Sequence, residues 1–396
     1  MSFERSHSQR FWYALSSRPV GGLAALTVLS ALSVFSVAAC ADTEDTALSK
    51  EDGSAIIPSN DAGTSLDGSD SDGEAADASM PCAVGNICRV TSPLASAAIA
   101  AISGRSKNDV WATGSGGAVL HWSGSGWTAL ESSFNETFTS IFLTPDEMWA
   151  TAGTLVLRRG LAADTVRSSR INEVVDVDSY RSIAGVAVMP GGDVFLGLAP
   201  GMTSIAYYKA KYLGKVDPDS AKVTYQPDAL NPLSNQPEIE LGVRAIHLVP
   251  GRALWLVGDR AAVARYAVSS SSDAGAPSLE RGVMVPVASQ VSLRAAWGHD
   301  EHLWAVGEKG TIAHFDGTAW EFADTRTTST LNAVFGIAPN DIWAVGEGGT
   351  ALHFDGAQWS SVATGHDGTL RAVWGGASDD VWFGGDAGLF HWGALP

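Results

Sequence analysis

Residues Leu331 to Trp359, LNAVFGIAPNDIWAVGEGGTALHFDGAQW, form one copy of a unit that this chain writes repeatedly. The unit stands before it as LRAAWGHDEHLWAVGEKGTIAHFDGTAW, Leu293 to Trp320, and after it as LRAVWGGASDDVWFGGDAGLFHW, Leu370 to Trp392. Trp304, Trp343 and Trp382 recur at steps of 39 residues. A fixed period near 40 means that each unit buries its apolar face against the next, so the repeat decides the fold. Within one copy LNAVFGI, IWAVG, TALHF and QWSSVAT are short runs rich in aromatic and β-branched residues. Gly, Asp, Asn and Pro bound them, which are strand and hairpin signals. Asp316-Gly317 and Asp355-Gly356 suit turns that need positive φ. Stacked helices fail as an alternative, because apolar residues at 3.6-residue spacing are absent and glycine interrupts every few positions.

Four strands per unit describe the blade of a β-propeller, an all-β fold. Ile99 to Trp127 is a good further copy, Phe138 to Leu157 and Ile183 to Gly197 are degenerate, and Val243 to Tyr266 is recognisable. The aromatic at the equivalent step is Trp111, Trp149, Phe195, Trp255, Trp304, Trp343 and Trp382, which predicts seven four-stranded blades. The last copy ends at HWGALP with no room for a fourth strand, while Ile87 to Thr91 is strand-like and unassigned. Unpaired edges are a liability. Residues about 86–92 are therefore expected to complete the last blade and close the ring.

The net charge of −18 argues against nucleic acid, whose phosphates demand a basic face. Residues 1–39 read as a signal peptide, with Arg5, Arg10 and Arg18 ahead of an apolar run from Gly21 to Ala39. Val37-Ala38-Ala39-Cys40 resembles a bacterial lipobox, which implies lipidation of Cys40 and anchoring in a membrane. An ordinary signal peptide or a retained span are the alternatives. Ala41 after the cysteine, by resemblance to envelope sorting, favours the outer membrane. Residues 40–81 hold the lipidated cysteine and an acidic linker, with eleven acids and one lysine after Cys40. Such a composition is expected to stay disordered and extended. Its run Asp67 to Glu74 lacks the spacing of a calcium loop. Cys82 and Cys88 suggest a disulfide at the start of the propeller, 82–396, in an exported protein.

IWAVGEGGTALHFDGAQW and LWAVGEKGTIAHFDGTAW resemble the tryptophan-rich propeller repeats of the Ycf48-like and BNR (Asp-box) proteins, over roughly residues 95–396. The resemblance implies the fold. The second glycine of the DGG motif is missing and the Asp-box serine is out of register, so neither assembly-factor nor sialidase activity carries over.

Four histidines, His121, His314, His353 and His391, share one slot. A ring of imidazoles suggests metal, but equivalent positions of a propeller stand far apart. In WD-type propellers a His, a turn Asp and a Trp bond to one another, and Asp341, Trp343 and His353 have that spacing. The slot is therefore read as structural, with no metal and no cofactor. Trp297, Phe335 and Trp374 are expected in the core between blades. The acids after the second strand, Asp259, Glu308, Glu347 and Asp386, fall on the rim that carries the connections between blades, and are candidate binding groups for a cation or a basic partner. Tyr207, Tyr208 and Tyr212, with the long segment Gln226 to Gly242, are further candidates for protein or sugar contacts. No phosphate loop, nucleophile elbow or zinc signature is present. These readings point to a non-enzymatic envelope lipoprotein with a protein partner. The alternatives are a glycan- or small-ligand-binding propeller, then a hydrolase or lyase on the same scaffold.

Overall fold

A computed structural model describes residues 85–162, 165–170, 180–200, 213–216, 223–225, 242–269, 278–280 and 282–394. All fall within one compact unit, Ala75–Pro396. The architecture is all-β, and the only helical elements among the described residues are three-residue 3₁₀ turns. No described helix is long and apolar enough to cross a membrane.

The strands assort into seven antiparallel sheets. Each is named here by the aromatic at the centre of its second strand. The inner strands are Ile99–Ser106, Ser140–Leu143, Tyr180–Val188, Val243–Val249, Leu293–His299, Leu331–Ala338 and Leu370–Ala377. Each of these touches the next, and the last touches the first, so the inner strands form a closed ring. The Phe195 blade is described strand by strand, and its connections 201–212 and 217–222 lie outside the described residues. In the Trp255 blade two short outer strands, Ser278–Leu279 and Val283–Met284, both pair with Val263–Ser269.

The closing strand falls where the sequence places it. Ile87–Val90 pairs antiparallel with Gly388–Trp392, with Cys88 opposite His391, and completes the Trp382 blade. Cys88 is disulfide-bonded; its expected partner Cys82 lies outside the described residues, as do Cys40 and the segments 1–39 and 41–81 expected to serve as signal peptide and linker.

Local chemistry explains the units. In the turn after the third strand, Asp316 accepts hydrogen bonds from the backbone of Thr318 (2.7 Å) and Ala319 (2.8 Å), and Asp355 does the same for Ala357 and Gln358 (both 2.9 Å). Gly317 and Gly356 take φ of +97° and +93°, which a side chain would strain. The second strands are buried on both faces, with Trp255 and Trp382 at 0% exposure. Burial of that kind, repeated around the ring, is what holds a propeller together, since each large aromatic removes on the order of 150–250 Å² from water.

Packing between blades sets how closely they approach. Trp297 lies against Gly336 of the next blade, where any Cβ would stand 2.3 Å from the indole. Trp374 lies against Gly104 in the same way, at 2.5 Å, across the join between the last blade and the first.

Candidate functional site

The inner strands enclose a central channel of about 350 Å³ to which every blade contributes. Its mouth is built by pairing. The first residue of each well-formed inner strand sits opposite the glycine that ends the second strand, as Leu293 does with Gly307 and Leu370 with Gly385. The acid that follows then donates its N–H to the carbonyl just before the inner strand: Asp259 to Gly242 (2.9 Å), Glu308 to Ser292 (3.0 Å), Glu347 to Thr330 (2.9 Å) and Asp386 to Thr369 (3.0 Å). All four predicted acids therefore stand at the mouth, on four consecutive blades.

The second residue of each inner strand faces them. Arg244 Nε bonds Asp259 Oδ1 at 2.8 Å, Arg371 Nε bonds Asp386 Oδ1 at 2.7 Å, and Arg294 lies 3.8 Å from Glu308. In the Trp343 blade the slot holds Asn332, whose Nδ2 donates to the Leu370 carbonyl at 3.0 Å. The same slot in the other three blades is Ala100, Thr139 and Ala184. Among the described residues this slot is charged or amide-bearing over one arc and small and neutral over the other. The arginines add positive charge to the rim of acids expected to meet a cation or a basic partner. Three of its four acids have a guanidinium beside them, and Arg260 and Lys309 follow Asp259 and Glu308 in their turns.

Sequence reading passed over Arg244, Arg294 and Arg371. Their signal is plain in VRAIHL, LRAAWG and LRAVWG, where a cation follows the first apolar residue of the strand. Tyr207, Tyr208, Tyr212 and residues 226–241 lie outside the described residues.

Deeper in the channel Trp297, Phe335 and Trp374 form an arc with ring centroids 6.3 and 6.1 Å apart. They line the channel as well as packing on the neighbouring blade. His247 continues the arc; burial pushes its pKa down to about 4, and its Nε2 accepts the Gly298 N–H at 3.0 Å. It is a neutral acceptor at ordinary pH.

The histidine slot lies at the other side of each blade, over the central tryptophan. His121 stacks on Trp111 at 4.3 Å, His314 on Trp304 at 4.0 Å and His353 on Trp343 at 4.4 Å, while His391 meets Trp382 at 4.4 Å and a steeper tilt. Arg158 and Arg265 take the slot over Trp149 and Trp255, with guanidinium carbons 5.3 and 5.7 Å from the rings. An acid holds most of these groups. Asp109, Asp341 and Asp380 bond His121, His353 and His391 at 2.8–2.9 Å, Glu147 bonds Arg158, and Glu301 of the next blade bonds Arg265 at 2.5 Å. Burial raises the Asp109 pKa, but hydrogen bonds from Arg105, His121 and Trp111 outweigh it and leave the carboxyl below its ordinary range. The slot is a structural clamp in each of these blades, and no described group of three or more His, Cys, Asp or Glu is arranged to hold a metal ion.

No family model and no curated protein matches the chain. Solved structures do. Ycf48 bound to D1 peptide is similar at a TM-score of 0.57 and 15% identity, covering 79% of this chain and 99% of that chain. Streptogramin B lyase is similar at 0.58 and 14%, over 76% and 94%. The extracellular domain of BT4673 from B. thetaiotaomicron is similar at 0.54 and 13%, over 78% of this chain and 40% of that one. At such identities the likeness is one of fold: the chain is a β-propeller.

Proposed function

We propose that this chain is a non-enzymatic, protein-binding propeller of the bacterial envelope, and that it takes a peptide segment of its partner at the channel mouth. The observation that carries the reading is the one-sided mouth. Arg244, Arg294 and Arg371 alternate with Asp259, Glu308, Glu347 and Asp386 over four consecutive blades. Exposed pairs of this kind contribute little to folding, about 0–1 kcal/mol each. Their use is therefore better sought in recognition, where complementary charge fixes register and speeds encounter. A segment with both signs of charge fits an arc of both signs, and the neutral arc leaves room for its small or apolar residues. A structurally similar propeller, Ycf48, has been solved with a D1 peptide, which supports the reading through the scaffold.

The delivery system belongs to the same proposal. Residues 1–39 export the chain, Cys40 carries the lipid, and residues 41–81 tether the propeller, 82–396, on the outer membrane. The test is co-purification of tagged full-length protein from detergent-solubilised envelopes, beside an Arg294→Glu/Arg371→Glu form and a Cys40→Ser form. A stoichiometric protein captured by the parent and lost from the arginine variant supports the mouth as the site. Equal capture by that variant sinks it. Unchanged detergent partitioning of the Cys40→Ser form overturns the lipid anchor alone.

A further inference from the structure

One blade breaks the clamp described above. His302 stands where Asp109, Asp341 and Asp380 stand in their blades, two residues before the central tryptophan. The inner strand leading to it is one residue shorter than in the Trp343 blade, lacking the irregularity between Gly336 and Ala338, and Asp300 in the two-residue turn takes a φ of +48°. His302 Nδ1 lies 3.1 Å from His314 Nε2, so an imidazole pair replaces the imidazole–carboxylate pair. His299 stacks on His302 at 5.0 Å, and His314 stacks on Trp304. Burial, and after it the neighbouring His302, pulls the His314 pKa below the ordinary imidazole value. In that contact one ring nitrogen donates and the other accepts.

These rings open on a crevice of about 560 Å³ between the Trp304 and Trp343 blades. It runs along the outer side of the two blades, from the end where His299 pairs with His302 to Asp324 and Arg326, beside the turn that follows Glu308, and its lining shares no residue with that of the central channel. Its apolar wall is Phe354, Trp359 and Phe322, the last 47% exposed. Its polar groups besides the imidazoles are Glu321, Asp324, Arg326 and Gln358. Through Arg326, Gln358 and Trp359 it shares its lining with a second cavity of about 760 Å³ along the outer strand Trp359–Ser361, lined largely by Thr, Ser and Gly.

The chemistry narrows the occupant. A cation would be served better by the carboxylate that the sister blades keep and this one has lost. An anion would face Glu321 and Asp324. A neutral ring bearing hydroxyls fits: each hydroxyl both donates and accepts, as the imidazole pair does, and the ring's C–H face covers aromatic carbon while the tip stays wet. The continuous crevice has room for more than one such unit. We propose that the crevice of the Trp304 and Trp343 blades is a binding site for a neutral oligosaccharide, separate from the channel mouth.

The test is titration of the full-length protein with chitotetraose, maltotetraose and cellotetraose, followed by calorimetry and tryptophan fluorescence. His302→Asp writes the sister blades' own Asp–His pair into this one and is expected to fold. It is expected to weaken binding by roughly tenfold, through loss of a matched hydrogen-bond pair. Phe322→Ala removes an exposed ring and is expected to weaken it several-fold, while Arg371→Glu at the mouth leaves it unchanged. Overturning outcomes are heat and fluorescence flat for all three sugars, or equal affinity in the His302→Asp form. Saturable binding of Zn²⁺ or Ni²⁺ that depends on His302, with no sugar bound, also overturns it and makes the crevice a metal site.

Discussion

The two arcs of the ring share their central aromatics and differ in what their inner strands bring to the mouth. Ile99–Ser106 and Tyr180–Val188 bring Ala100 and Ala184 to the channel mouth, and Thr139 stands there just ahead of Ser140–Leu143; the four later inner strands bring Arg244, Arg294, Asn332 and Arg371. The central aromatics are nevertheless buried alike, from 0% to 6% exposed, in every blade. A repeat scaffold keeps its core residues wherever blades meet and lets rim residues diverge, because rim positions bear little of the folding free energy. The arcs also treat the central indole differently. Trp111 and Trp149 donate to Asp109 (2.9 Å) and Glu147 (3.2 Å), whereas the buried Nε1 of Trp255, Trp343 and Trp382 has no hydrogen-bond partner among the described residues.

That contrast can be broken experimentally. The largest expected effect is the one both arcs share: Trp111→Ala and Trp343→Ala should each cost about 3–5 kcal/mol in urea unfolding. A loss below about 1 kcal/mol in either arc would show that its blades do not rely on the same core. The next effect belongs to His247. Its folded pKa of about 4 lies below the unfolded value of 6.5, so the unfolded chain binds the extra proton between those pH values. Stability should therefore fall as pH drops from about 6.5 toward 4, by up to about 3 kcal/mol from this residue. Urea midpoints at pH 7 and pH 4.5 measure it, and His247→Gln should flatten the slope. A finer comparison uses phenylalanine. Trp111→Phe loses a hydrogen bond and Trp343→Phe loses none, so the first should be the more destabilising by about 1 kcal/mol. Reversal of that order would mean that cavity size, rather than the indole N–H, separates the arcs. The smallest effect is at the rim: Arg371→Ala should change stability by less than about 1 kcal/mol, since the pair with Asp386 is half exposed.

Most of the scaffold was legible in the sequence. The 39-residue step, the Asp-Gly turns and the unmatched segment Ile87 to Thr91 pointed to the propeller and its closing strand, because each is a local signal. The site was legible only in part. The four rim acids stand where the repeat places them, but their arginine neighbours lie 15 residues or so upstream, at the start of the inner strand. Alternation along a strand shows which residues share a face and not which turn they meet. His302 was hidden for a different reason. The shortened inner strand hides the register in which His replaces Asp, and the contact with His314 appears only once the strands pair. Residues 226–241 and the three tyrosines carry no periodicity to interpret, and they lie outside the described residues.

The closing strand has a consequence for how the ring is made. Ile87–Val90 is synthesised before any blade, yet its sheet partner among the described residues, Gly388–Trp392, follows about 300 residues later. Bringing those ends together costs chain entropy of about 5 kcal/mol on a logarithmic loop law, recovered only when the circle locks. Six sheets can assemble as the chain emerges, each from its own neighbours, while the seventh waits for the final residues. Assembly is then gated at its end, like a clasp. A stalled or clipped chain would leave one apolar edge open, whereas in the finished molecule a pull on the N-terminal segment bears directly on the join that holds the circle shut.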